Sequence, residues 1–93
     1  MKEITLFHLA TCPYCHNIRK ALEELTAETP AYGAIRVNWV EESQQPQLAD
    51  QYDYYYVPSI FFGDSKLYEA HPSQDYAAIK AHTKAALDAV LKD

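Results

Sequence analysis

The chain contains two cysteines, Cys12 and Cys15, in the run Thr11-Cys12-Pro13-Tyr14-Cys15-His16. A thiol attacks a disulfide only as its thiolate. A pair at this spacing can do what one thiol cannot: the first sulfur attacks, and the second displaces the substrate from the mixed disulfide that results. If the pair opens a helix, the first sulfur sits where unpaired N–H groups and the helix dipole favour negative charge. The second then lies one turn on, on nearly the same face. The residues therefore point to thiol–disulfide exchange, with Cys12 as nucleophile and Cys15 as resolving thiol. Pro13 stiffens the intervening turn, and Tyr14 projects from it as a flat apolar surface for a substrate.

The same residues allow other chemistry. A zinc site would need His8, His16, His71 or His82 to complete four ligands, with no second paired motif in the chain. Cys12, Cys15 and His16 also match the c-type haem attachment pattern. No export signal accompanies it, and the single Met, residue 1, leaves no distal Met ligand. A permanent bridge this local would remove little entropy from the unfolded chain. The rival of a different class is a non-enzymatic module whose dithiol holds a metal, or shares an iron–sulfur cluster between two chains through Cys12 and added thiols.

The cysteines must be positioned by the elements around them. Ile4 to Leu9 is an apolar run with β-branched and aromatic residues, which reads as a buried strand. Pro13 fits the first helical position, where its missing N–H removes nothing. Ile18, Leu22 and Leu25 then recur at helical spacing, giving an amphipathic helix of about three turns. Thr26 to Gly33 holds a Pro and a Gly and reads as a loop. Ile35 to Val40 alternates as a second strand, so strand, helix and strand make a right-handed βαβ unit. Pro46 can open a short helix through Leu48, Ala49 and Tyr52. Val57 is pushed to extended geometry by Pro58, and Ser59 to Phe62 follows as a third strand. Gly63-Asp64 is a turn, and Lys66 to Glu69 returns antiparallel. Ser73 is the candidate N-cap of a last helix. That helix puts Tyr76, Ile79, Thr83, Ala86, Leu87 and Val90 on one face. The fold class is α/β, in the order βαβαββα.

Composition bounds the rest. The 93 residues make one domain, 1–93, and 48% hydrophobic content supports a modest core without staples. A net charge of -5 argues against nucleic-acid and anionic-membrane partners, which want a basic patch. No stretch approaches the ~20 apolar residues of a membrane span. Glu3 sits where a signal peptide would be positive. A cytoplasmic monomer with no tightly bound cofactor is the expectation.

At this point the residues resemble a known family. Cys12-Pro13-Tyr14-Cys15 is similar to the dithiol glutaredoxin motif. Val57-Pro58 at the head of an apolar strand resembles the Val-Pro pair of the thioredoxin superfamily. The order of elements agrees from Ile4 to the final helix. The resemblance implies a thioredoxin-like fold, with a central four-stranded mixed sheet and three helices, and dithiol–disulfide exchange. It also implies that Pro58 is cis beside Cys12, and that the Val57 backbone pairs with substrate as an added strand. The chain departs from the family where glutathione would bind. His8-Leu9-Ala10-Thr11 offers a His where a Lys or Arg is usual. Tyr68-Glu69-Ala70-His71-Pro72-Ser73-Gln74-Asp75 lacks the family's Gly-Gly pair, and Glu69 would repel an anionic tripeptide. Protein disulfides or glutathione mixed disulfides are the expected substrates. Glutathione or a thioredoxin-type reductase is the expected electron donor.

Further residues complete the expectations. Of Tyr52, Tyr54, Tyr55 and Tyr56, two or three pack the short helix against the sheet, while Tyr56 is the one to line a substrate groove beside Cys12. Trp39 belongs to the core of a central strand. Arg19 and Lys20 are solvated helix residues, and His82 borders the last helix's apolar face. Glu41 and Glu42 follow a strand, where a buried acid could shuttle protons to Cys15.

Overall fold

The computed structural model describes residues 2–93; Met1 lies outside the described residues. The elements are β1 (Lys2–His8), α1 (Pro13–Glu28), β2 (Ile35–Glu41), α2 (Pro46–Ala49), β3 (Ser59–Phe62), β4 (Ser65–Glu69) and α3 (Tyr76–Lys92). The sheet runs β2-β1-β3-β4. β1 is parallel to β2, and β3 is antiparallel to both β1 and β4. This is the α/β order that the residue pattern implies, with the mixed four-stranded sheet that the family resemblance implies.

Alternation along the strands sends side chains to two faces. Ile4, Leu6 and Ile60 join Ile18, Leu22 and Leu25 of α1 and Ile79, Leu87 and Val90 of α3 in the main core. Phe7, Val40 and Phe61 form a smaller core on the opposite face, covered by Leu48, Ala49, Tyr52 and Tyr54. The Phe7 ring lies 4.8 Å from both Tyr52 and Tyr54. Two of the four clustered tyrosines thus pack the short helix and the loop after it.

Four local expectations change. α1 runs 16 residues, because its apolar stripe continues until Pro30 forces Thr29 into extended geometry. The stretch after it is a 3-10 turn, Pro30–Ala34, that buries Tyr32, whose hydroxyl donates to Asp88 at 2.5 Å. Trp39 is half-buried and not in the core, because β2 is an edge strand. The N-cap of α3 is Asp75 and not Ser73: its carboxylate accepts the Ala78 N–H at 2.9 Å. Gln74 Oε1 accepts from the His71 N–H at 3.1 Å and the Tyr68 hydroxyl at 2.6 Å, which folds Ser73 into a preceding turn. Gly63 closes the β3–β4 turn at φ 59, a left-handed conformation that glycine adopts freely.

Candidate active site

Cys12 is the N-cap of α1, with extended backbone at φ -83 and ψ 124, and Pro13 opens the helix. Its carbonyl accepts the N–H of Cys15 at 3.1 Å and of His16 at 3.2 Å. Pro13 has no N–H, so the Tyr14 N–H is left in the first turn without a partner among the described residues. An anion at the N-cap meets that donor and the positive end of the helix dipole. Both cysteines are free thiols, Cys12 half-buried and Cys15 only 5% exposed.

One turn on, Cys15 lies against the end of β1. Its sulfur accepts the Leu9 N–H at 3.4 Å. Burial pushes its thiol up to about 12; the Leu9 N–H works the other way, and Cys12 and Glu42 add to the rise. The two sulfurs therefore differ in kind: one stands at the surface on a helix N-terminus, the other is shut away as a protonated thiol.

The loop before β3 faces Cys12. The Val57–Pro58 peptide is cis, and the Val57 carbonyl oxygen lies 4.0 Å from the Cys12 sulfur. Neither the N–H nor the C=O of Val57 has a backbone partner among the described residues. Four hydrogen bonds brace the loop on both sides of Val57. Glu69, on β4, accepts the N–H groups of Tyr55 and Tyr56, each at 2.5 Å. The buried Ser59 hydroxyl donates to the Tyr56 carbonyl at 2.5 Å, and the Ala70 N–H donates to the Pro58 carbonyl at 3.0 Å. Burial alone would raise the Glu69 carboxyl, but the Lys66 ammonium and the Tyr56 and Tyr55 N–H groups hold it down to about 2. The charge read in the sequence as repelling an anion is thus engaged with Lys66 at 2.8 Å and with the loop backbone.

The other expected site residues divide. Tyr56 is 39% exposed, with its ring 5.9 Å from His71, and Tyr55 is 84% exposed beside it. Tyr14, expected as a free surface, packs partly onto the main core, and its hydroxyl donates to the Pro72 carbonyl. It links the cysteine turn to the segment before α3. Arg19, expected to be solvated, stacks over Trp39 with its guanidinium carbon 4.1 Å from the ring centre. His82 stacks on Tyr68 at 5.1 Å.

Neither Glu41, the last residue of β2, nor Glu42 reaches Cys15 as a hydrogen-bond partner. Glu41 accepts from Ser43 and from the Ala10 N–H at 3.3 Å, and its carboxyl is lowered chiefly by the Ser43 bond. Glu42 accepts the Tyr54 hydroxyl at 2.5 Å. Two site residues were missed in the sequence. Glu69 was weighed only as a repulsive charge, and Ser59 only as a strand residue; their partners lie in other elements, where spacing gives no signal. Among the described residues, no group of three or more His, Cys, Asp or Glu could hold a metal ion. A metal on Cys12 and Cys15 would draw its other ligands from outside the chain.

Comparison with known proteins agrees with this geometry. A family model described as Glutaredoxin matches residues 4–67. A thioredoxin of Methanocaldococcus jannaschii is 30% identical over 73 residues, covering 78% of this chain and 84% of that protein. Among solved structures, one titled as a malarial protein superposes with a TM-score of 0.60 at 18% identity, covering 91% of this chain and 96% of the other. A mutant thioredoxin from Halobacterium salinarum NRC-1 superposes with a TM-score of 0.57 at 21% identity, covering 91% and 74%. At these identities the structural matches speak for the fold.

Proposed function

Given that this chain belongs to the glutaredoxin family, whose members are thiol–disulfide oxidoreductases, we propose that it reduces protein disulfides by dithiol exchange between Cys12 and Cys15. Cys12 attacks the substrate disulfide as a thiolate favoured by the start of α1, releasing one substrate thiol. Val57 offers its N–H and C=O, neither held by another backbone group among the described residues, to the substrate backbone as an added strand, and Pro58 and the Tyr56 ring flank it. Cys15 then attacks the Cys12 sulfur, forms the internal disulfide and releases the second thiol. The observation that carries this reading is the meeting of three features. Cys12 is the N-cap of α1, its sulfur lies 4.0 Å from a Val57 carbonyl that has no backbone partner among the described residues, and Cys15 waits one turn behind.

A reductant must return the internal disulfide to two thiols, and both glutathione and a thioredoxin-type reductase supply the needed electron pair. The departures before Cys12 and after Tyr68 favour the reductase, because the usual anion-holding residues are replaced. We place the protein in a reducing, cytoplasmic setting and as a monomer. No helix among the described residues is long and apolar enough to cross a membrane.

Two coupled assays on the reduced protein test the proposal. One draws electrons from glutathione and glutathione reductase to a small mixed disulfide; the other draws them from thioredoxin reductase to a protein disulfide. Turnover in the second assay is expected, abolished in Cys12→Ser, with Cys15→Ser trapped as a mixed disulfide. Undiminished turnover by Cys12→Ser overturns the proposal. Turnover confined to the first assay reassigns the donor to glutathione.

A further inference from the structure

We propose that His8 accepts the proton of Cys15 when Cys15 resolves the mixed disulfide, through water in a cavity that the two side chains share. This inference rests on the dithiol reading above. The cavity, about 200 Å³, is lined by His8, Leu9, Ala10, Cys15, His16 and Arg19. Its volume is well above the ~15 Å³ that one water requires, and its wall carries several polar groups. Neither Cys12 nor any residue of the Val57 loop lines it.

The need for a proton acceptor follows from the surroundings of Cys15. The residue is 5% exposed and burial keeps its sulfur a thiol at neutral pH, yet only the thiolate attacks a disulfide. Cys12 cannot take the proton, because its sulfur is then bonded to the substrate. Glu41 is held by Ser43 and Ala10 and Glu42 by Tyr54, and neither lines the cavity.

His8 does line it. The ring ends β1, half-buried, edge-on to Trp39 at 5.3 Å. Burial and then the Arg19 charge lower its pKa, and Glu41 offsets part of that. The ring is thus held in the neutral, proton-accepting form at physiological pH. The groups that face His8 are Arg19 and His16 from α1 and Glu41 from the end of β2; those that face Cys15 are Cys12 and Glu42.

The step balances within the protein. The S–H proton of Cys15 passes through water to His8 as the Cys15 sulfur bonds to the Cys12 sulfur. The bond between Cys12 and the substrate sulfur breaks, and its electron pair leaves on the substrate sulfur. That sulfur takes a proton from His8 or from solvent. One mixed disulfide and one thiol become one internal disulfide and one thiol, with no outside oxidant or reductant.

Stopped-flow reaction of the reduced protein with 5,5′-dithiobis(2-nitrobenzoate) separates the two attacks. The first thionitrobenzoate leaves on attack by Cys12, and the second leaves on attack by Cys15. In the wild type the second phase is expected to rise with pH and level off at the His8 titration, read independently from the ring proton shifts. In His8→Gln the level region is lost, and the rate keeps climbing about tenfold per pH unit, as hydroxide must do the work. At pH 7 the second phase is then at least about tenfold slower than wild type. Added imidazole is expected to restore speed to His8→Ala, whose enlarged cavity admits it. A wild-type second phase with no inflection at the His8 titration overturns the inference without any variant. So does a His8→Gln profile equal to wild type, or the same loss in His16→Gln alone. Release of one thionitrobenzoate per protein in place of two, with no internal disulfide formed, overturns the dithiol reading itself.

Discussion

Cys12 and Cys15 are one helical turn apart and have the same side chain, yet the fold gives them opposite surroundings. Cys12 stands half-buried at the N-cap of α1 and faces a carbonyl with no backbone partner. Cys15 is buried behind the turn, under the Leu9 N–H and beside a cavity that it shares with His8. The difference is produced by what each part of the first turn of α1 packs against. The N-cap meets the β3 loop and solvent, while the third helical residue meets the end of β1. Dithiol exchange needs that asymmetry: an equally exposed second thiol would compete with the first for substrate, and an equally buried first thiol would attack nothing.

The largest expected effect tests the asymmetry directly. Brief alkylation of the reduced protein with iodoacetamide at pH 7, read by mass spectrometry, is expected to give one adduct, on Cys12. The lone thiol of Cys12→Ser, pushed up by burial, is expected to react at least about a hundredfold more slowly than the lone thiol of Cys15→Ser. The first of these rates should rise about tenfold per pH unit well above neutrality. Comparable rates at pH 7 would mean that the burial of Cys15 does not set its reactivity.

How much of this was legible in the sequence follows the range of the interactions. The helix start at Pro13, the βαβ unit and the Gly63 turn rest on neighbours within a few residues, and all were readable. The cis peptide at Pro58 came from family resemblance and not from the residues. The brace on that loop was not legible. Glu69 meets Tyr55 and Tyr56 because β3 and β4 pair Ser59 with Glu69, a register fixed by the whole hairpin. Trp39 was misplaced for a related reason. Its alternation shows a strand, but only the sheet order shows that the strand is an edge. The turn at Pro72 concealed the true N-cap, since Gln74 and Asp75 both could serve polar groups and the sequence does not say which.

The next prediction separates the two sulfurs by their supports. Glu69 braces only the loop that faces Cys12, so Glu69→Ala should slow protein-disulfide turnover by about tenfold through lost positioning. It should leave the thionitrobenzoate release by Cys15 within about twofold of wild type, since local bracing at Val57 does not reach the cavity. The same variant should lose about 1–3 kcal/mol of stability in urea unfolding, the usual net worth of hydrogen bonds to a charged group. The pH dependence follows with a definite sign. The folded carboxyl lies at about 2, below its ordinary value of 4.5. Its contribution is therefore fully present above pH ~4.5 and is lost as pH falls from there towards 2. Wild type minus Glu69→Ala stability should shrink across that window and be flat from about pH 5 to 8. A difference that stays constant down to about pH 3 would show that the carboxylate charge does not brace the loop.

The smallest effect concerns the residue between the two sulfurs. Tyr14 was expected to present a substrate surface, but its ring rests partly on the core and its hydroxyl ties the turn to Pro72. Tyr14→Phe keeps the ring and removes only that tie. A half-exposed hydrogen bond of this kind contributes about 0.5–1 kcal/mol, so the melting temperature should fall by roughly 2–8 °C. Because Cys12 and Cys15 are held by the helix itself, through bonds from the Cys15 and His16 N–H groups to the Cys12 carbonyl, neither alkylation rate should change by more than about twofold. A larger change confined to Cys12 would mean that the segment before α3 helps set the nucleophile's environment, and would move Tyr14 from a structural tie to a working part of the site. A change in both sulfurs together would instead mean that the turn as a whole depends on that tie.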